Sequence, residues 1–298
     1  MPLASQLVGQ SSEPLVQEID ARWTMAYAAG LGDTLPCYMD TRGPQGVVAH
    51  PLFPVCFEWP LVVAGRSDDR LTPMERMRAV HATHDLIIHR LVRSGDRLTT
   101  RLSIAGIECR TPGAYEVLRL DTTDAAGAPV CTTWMGVLYR GVEVEGPDRP
   151  AVDWPPLPRG NVSAASHAEV RVPIAATAAH VYTECARIWN PIHTDAAFAD
   201  AAGLPGIILH GTATLALAVS RVITAEAGNA PQRVSRITGR FDAMVRVPSE
   251  IIVRIRSREP TADGDVVAFE VRNAAGEADG AAEGELAVRD GFVVLRAS

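Results

Sequence analysis

The chain has 298 residues, a net charge of −7, and 47% hydrophobic against 21% charged residues. That is enough apolar residue for a folded core and, at roughly 100–200 residues per domain, enough length for two domains or one large one. All 28 basic residues are arginine, which excludes lysine Schiff bases, lysine-bound pyridoxal phosphate and the lysine of a phosphate-binding P-loop. An acidic balance without a basic block argues against nucleic acid and anionic membrane surfaces as partners.

The first residues, Met1 to Pro14, show no basic region followed by an apolar run, so no secretory signal is expected. Cys37, Cys56, Cys109, Cys131 and Cys185 are widely scattered with no CxxC, which fits reduced thiols in a cytoplasmic protein and no cysteine metal site. Asp20 to Leu31 has Ala21, Met25, Ala28 and Ala29 at helical spacing, with Asp20 as the cap. His81, His84 and His89 flank the sheet-like Leu86-Ile87-Ile88; a strand with polar edges is favoured over a metal site, His84 facing away from the other two. Tyr115 to Leu120 reads as a strand ahead of a turn at Asp124-Ala-Ala-Gly127.

Prolines from Pro147 to Pro158 then interrupt the chain and mark residues 146–166 as a linker. The sequence beyond it repeats the plan of the sequence before it. Asn273-Ala-Ala-Gly276 follows a strand-like Val266 to Val271, at an offset of 149 from the first turn. At the same offset Arg97 to Ile104 lies over Arg246 to Val253. Thr194 to Ala202 reads as a short helix stopped by Gly203. Ile207 to Ala227 is apolar on nearly every face, as befits a helix wrapped by a sheet. Its apolar stretch, Gly206 to Ser220, falls short of the roughly 20 residues a bilayer demands, so no membrane is expected. A buried helix followed by antiparallel strands, twice over, is an α+β fold.

The densest polar constellation is Asn190-Pro-Ile-His193-Thr-Asp195 with Ile208-Leu-His-Gly211. A histidine before a short helix can act as a base, and a glycine amide at the next helix start can meet a developing enolate oxygen. The same residues also fit a plain turn with His193 as its cap and His210 as a core histidine. No GxGxxG, GxSxG or phosphate loop is present, which disfavours nucleotide cofactors and the α/β-hydrolase mechanism.

The run Tyr182 to Asp195, the alanine-rich helix and Ile208-Leu-His-Gly211 together resemble the signature of the MaoC-like, R-specific enoyl-CoA hydratases (hydratase 2). With the repeat, the chain resembles the double-hotdog members of that family, in which a long helix is wrapped by an antiparallel sheet. Tyr27-Ala28, Gly32-Asp33, His50-Pro51-Leu-Phe-Pro54 and His81 through Gly95-Asp96 match their divergent first hotdog. The resemblance implies a first hotdog over residues 1–145 shaping the acyl pocket and a second over 167–298 carrying the site. It implies His193 as catalytic base, Asn190 shaping its loop and the Gly211 amide as oxyanion donor. It further implies hydratase or dehydratase chemistry on a CoA- or carrier-protein-bound thioester, with no cofactor and no metal, in a homodimer.

The family places an aspartate five positions before its histidine, in Gly-Asp-x-Asn-Pro-x-His. Here Arg187 and Ile188 stand at the first two positions, and isoleucine moves no proton. Glu184, Asp195 and Glu58 are the candidate stand-ins. Glu58 lies in Phe53 to Trp59, where the first buried helix is expected; bacterial fatty-acid dehydratases, also hotdog enzymes, pair a loop histidine with an acid on the facing helix. The alternatives are isomerisation, cyclisation or hydrolysis of a specialised thioester on the same fold, or a non-catalytic acyl-binding protein.

Overall fold

The computed structural model describes residues 2–44, 46–65, 71–262, 264–275 and 284–297. In chain order these form β1 (Leu3–Ala4), β2 (Leu15–Glu18), α1 (Ala21–Gly30), α2 (Pro36–Met39), α3 (Pro54–Gly65), α4 (Pro73–Met77), β3 (Ala79–Ile88), β4 (Arg97–Arg110), β5 (Gly113–Thr123), β6 (Pro129–Arg140) and β7 (Val144–Glu145). The second half supplies β8 (Ala168–Ile174), α5 (Ala178–Ala186), α6 (Ala196–Ala201), α7 (Gly211–Glu226), β9 (Val234–Phe241), β10 (Ser249–Thr261), β11 (Gly264–Asn273) and β12 (Leu286–Leu295). Among the described residues no helix is long and apolar enough to cross a membrane.

One ten-stranded sheet carries the fold, in the order β2-β4-β5-β6-β3-β9-β12-β11-β10-β8. Outward from the middle, the two sides are the same sequence of elements. β3 answers to β9, β6 to β12, β5 to β11, β4 to β10 and β2 to β8. The first five strands accompany α3 and the last five α7, which is the double hotdog expected from the repeat. A detail of register supports the duplication. Pairing slips between Ile104 and Gly106 in β4 and between Ile255 and Ser257 in β10, leaving Ala105 and Arg256 as bulge residues 151 positions apart. The Gly127 turn has the positive φ it needs, +81°. Its counterpart begins where β11 ends at Asn273, and Gly276 lies outside the described residues.

The halves meet at an antiparallel seam, Thr83↔Arg240 through Ile87↔Arg236. On its outer face Asp85, fully buried, accepts from Arg236 Nε at 2.9 Å and Nη2 at 2.7 Å and from Trp154 Nε1 at 2.8 Å. Arg236 also donates to the carbonyls of Pro155 and Pro156, and Trp154 stacks on Trp134 at 5.9 Å. The proline-rich segment therefore straps the seam. On the inner side α1 packs on α5, where the hydroxyls of Tyr27 and Tyr182 lie 3.3 Å apart. A shared apolar core takes Val55 and Phe57 from α3, Leu215 and Val219 from α7, and Leu86 and Ile237 from the seam.

Local sequence explains the elements. Asp20 caps α1 by accepting from Trp23 N at 2.7 Å. Helix α7 begins at Gly211, not at Ile207, because Ile208 is held extended by a bridge to Arg246 and His210 takes the N-cap conformation. The histidine cluster departs from simple alternation. Pairing slips between His81 and Thr83, so His81 and His84 turn to the same inner side, their rings 5.4 Å apart. β3 is also a central strand, so His84 is buried while His89, beyond its end, is exposed.

Candidate functional site

A cavity of about 420 Å³ lies between the halves. Ile188, Asn190, His193, His210 and Gly211 line it from the second half; Glu58, Thr133, His81 and His84 line it from the first. Apolar side chains such as Val55, Trp59, Met135, Leu209 and Val245 form much of the remaining wall. Exposed Arg140 and Met244 stand among its lining residues.

The loop that carries His193 is built at the end of α5. Arg187 terminates that helix in the left-handed region, φ 58° and ψ 34°, and Ile188 N closes the turn on Thr183 O at 3.1 Å. A side chain in this conformation costs about 1–2 kcal/mol relative to glycine. The Arg187 guanidinium lies over the Trp23 ring, 4.0 Å from its centroid, a contact worth about 0.5–1 kcal/mol at an exposed site. The turn brings Ile188 into the cavity wall, 5% exposed. Asn190 then holds the loop through its carbonyl, which accepts His193 N–H at 3.1 Å.

The His193 ring is fixed in one tautomer. Its Nδ1 lies 2.8 Å from Ile208 O, and a carbonyl can only accept, so Nδ1 carries the proton and Nε2 keeps a lone pair. Burial pushes the His193 pKa down to about 4, against the bond to Ile208, so the ring is neutral and basic at Nε2 near pH 7. The ring stacks on His210 at 3.6 Å and 23°. Burial, and then the neighbouring His193, hold His210 well below its usual range, so the pair is a neutral platform. The amides of the first turn of α7 have no intrahelical acceptor and carry the positive end of the helix dipole. A Cβ at position 211 would meet the Phe241 ring at 3.0–3.3 Å, so any other residue there requires the ring to give way by a few tenths of an ångström.

From the opposite side, α3 presents Glu58. It is 3% exposed, and its Oε1 accepts from Thr133 Oγ1 at 2.6 Å. Burial dominates and raises its pKa to about 8, against the lowering effect of that bond. The carboxyl is therefore protonated at neutral pH. Asp195 is elsewhere: exposed, it caps α6 by accepting from Phe198 N at 3.1 Å and does not line the cavity. Glu184 is likewise exposed. The sequence does not mark Thr133, His84 and Phe241 as site residues. The first and third are ordinary strand residues; His84 shares its face with the core residues Leu86 and Ile88, and the bulge that brings His81 round to that side leaves no mark in the residue pattern. Among the described residues no group of three or more metal-ligating side chains comes together.

The comparisons with known proteins follow the same division. The MaoC-like domain model matches residues 161–278, and the dehydratase-region model of FAS1-like proteins matches residues 6–133. The peroxisomal enoyl-CoA hydratase 2 of Arabidopsis thaliana is 27% identical over 183 residues, 58% of this chain and 58% of that protein. A MaoC-like dehydratase from Phytophthora capsici superposes with a TM-score of 0.81 at 19% identity, covering 97% of this chain and 96% of the other. A Mycobacterium tuberculosis protein described as having a double hotdog fold superposes at 0.63 and 16% identity, covering 97% and 96%. The chain has the double-hotdog fold, its second half matching the MaoC-like domain and its first half the dehydratase region of FAS1-like proteins.

Proposed function

We propose that the protein adds water to a trans-2-enoyl thioester, or removes it from a 3-hydroxyacyl thioester, with residues 1–145 and 167–298 as the two hotdog units joined by 146–166. The observation that carries this is a base and an acid in one cavity, in opposite protonation states at neutral pH. His193 Nε2 is unprotonated because Ile208 O fixes the tautomer and burial keeps the ring neutral. Glu58 is protonated because it is buried. Two groups whose surroundings drive their pKa values apart are what acid–base catalysis at one pH needs.

In the dehydration direction His193 Nε2 takes the proton from the α-carbon, and the electron pair moves onto the thioester oxygen, facing the Gly211 N–H. The enolate then collapses to the α,β double bond and the bond from the β-carbon to oxygen breaks. Glu58 supplies the proton with which that oxygen leaves as water. The imidazolium and the carboxylate so formed are restored by proton exchange with solvent. Glu58 takes the part that an aspartate at position 188 has in related proteins, acting from the facing helix. The exposed guanidinium of Arg140 beside the cavity suits a phosphate of the thioester's carrier.

Absorbance of enoyl-CoA and enoyl-carrier-protein esters tests the reading, wild type against His193→Ala. Loss of turnover by about 10²–10⁴-fold is expected. A folded wild type that consumes none of them would turn the assignment toward isomerisation or ring closure, for which the apolar Ile188 wall is better suited.

A further inference from the structure

We propose that the cavity contains a second polar subsite, built on His84, that binds a hydroxyl or carbonyl oxygen carried by the acyl chain beyond its reacting carbons. The substrate is then an oxygenated acyl thioester and not a plain alkyl one. This rests on the thioester reading above and specifies its substrate class.

His84 is 2% exposed and lines the cavity, and neither of its ring nitrogens has a hydrogen-bond partner among the described residues. Buried polar atoms in native proteins are nearly always paired, and one left without a partner costs about 1–3 kcal/mol. A leucine or methionine would fill the same place without that cost. The cross-strand neighbours of His84 are Met135 on β6 and Gly239 on β9, a thioether and a residue without a side chain, so the sheet offers the ring nothing. Thr133, two residues before Met135, is committed to Glu58.

The position of His84 separates it from the proposed oxyanion amide. The Phe241 ring lies against Gly211, His81 packs on Phe241 at 4.7 Å, and His84 follows His81 at 5.4 Å. Two ring contacts thus lie between that amide and His84, so the oxygen that His84 would bind is not the thioester's own. Burial holds the ring neutral, its pKa near 4. A neutral imidazole has one N–H and one lone pair, which matches a hydroxyl that accepts one hydrogen bond and donates another, and its N–H alone suffices for a carbonyl.

The test is calorimetric binding of saturated pantetheine thioesters, the arm common to both carriers: hexanoyl, 4-hydroxyhexanoyl, 5-hydroxyhexanoyl and 5-oxohexanoyl. None has a 3-hydroxyl or a double bond, so hydration chemistry leaves them intact. The wild type should bind at least one oxygenated ester about tenfold tighter than hexanoyl, the worth of one good buried hydrogen bond. His84→Leu should erase the preference while hexanoyl binding holds or improves, and His84→Asn should keep part of it. Removing an unpaired imidazole is expected not to lower the melting temperature of the leucine variant, and the wild-type comparison needs no variant at all. Equal wild-type affinity for the four esters, or a preference that survives His84→Leu, would overturn the subsite. Equal affinity, or binding of none of the esters, alongside enoyl turnover would overturn the subsite and leave the hydratase reading standing; absence of enoyl turnover would remove that reading.

Discussion

The two helices at the centre of the two halves start differently, and the difference explains why the chemistry is proposed on one side. Helix α7 opens at Gly211, whose amide proton is available and whose missing Cβ gives Phe241 room to pack. Helix α3 opens at Pro54, and proline has no amide proton to offer a substrate oxygen. The histidines ahead of the helices differ in the same sense. His50 Nδ1 accepts from Leu52 N at 3.1 Å, which leaves Nε2 to donate to Ser220 Oγ at 3.2 Å, so both nitrogens are spent on structure. His193 spends one nitrogen on Ile208 and keeps the other. Duplication thus lets one half become a wall, whose proposed contribution to the reaction is a single carboxyl reaching across.

The sharpest way to break this picture is Glu58→Gln. The amide keeps the size and the bond from Thr133 but cannot donate a proton to a leaving oxygen, so turnover should fall by about 10²-fold or more with substrate binding little changed. Wild-type kcat/KM should decline below about pH 4 as His193 becomes protonated and above about pH 8 as Glu58 loses its proton. The same variant has an opposite signature in stability. The folded chain holds the Glu58 proton up to about pH 8, whereas the unfolded carboxyl releases it near 4.5. Stability therefore falls as pH rises through that window. Glu58→Gln should melt higher than wild type at pH 9, by on the order of a few kcal/mol, and show little gain at pH 4. A variant with undiminished turnover would remove Glu58 from the mechanism.

The seam between the halves offers a test of how far they depend on each other. Asp85→Ala leaves a partly buried Arg236 without its bidentate partner and Trp154 without its acceptor. Breaking a buried pair from one side costs about 3–5 kcal/mol, which denaturant unfolding can read. A single transition displaced to lower denaturant is expected. A loss below 1 kcal/mol would show that strand pairing alone joins the halves.

Much of this frame is legible in the amino-acid sequence. The repeat, the cap at Asp20, the α7 segment and the His193 loop all rest on local rules, since caps, turns and apolar faces are written in neighbouring residues. What the sequence hides is tertiary. Alternation puts His84 on the face opposite His81, and only the slip against β6 brings them together. Nothing near Asp85 in sequence announces Arg236, 151 residues away. Asp195 resembles a stand-in acid because it follows His193 closely, but an aspartate just ahead of a helix is also how a helix start is written, and that is its place. Glu58, by contrast, is visible as an acid on an apolar stretch, because a charge where none can be solvated calls for a partner.

The smallest effect concerns the turn that replaces a glycine. Arg187 holds a left-handed conformation at the end of α5 and covers Trp23 of α1, so it joins the two halves' equivalent helices at a backbone cost. Arg187→Gly removes both the strain and the contact, and because these are similar in size the stability should shift by less than about 1 kcal/mol. Arg187→Ala removes the contact and keeps the strain, so it should be the less stable of the two by about 1 kcal/mol. The comparison separates backbone from side chain in a way that neither substitution does alone. If the alanine variant matches or exceeds the glycine one in denaturant unfolding, the left-handed turn at 187 is not under strain, and stacking on Trp23 is the only reason for an arginine there.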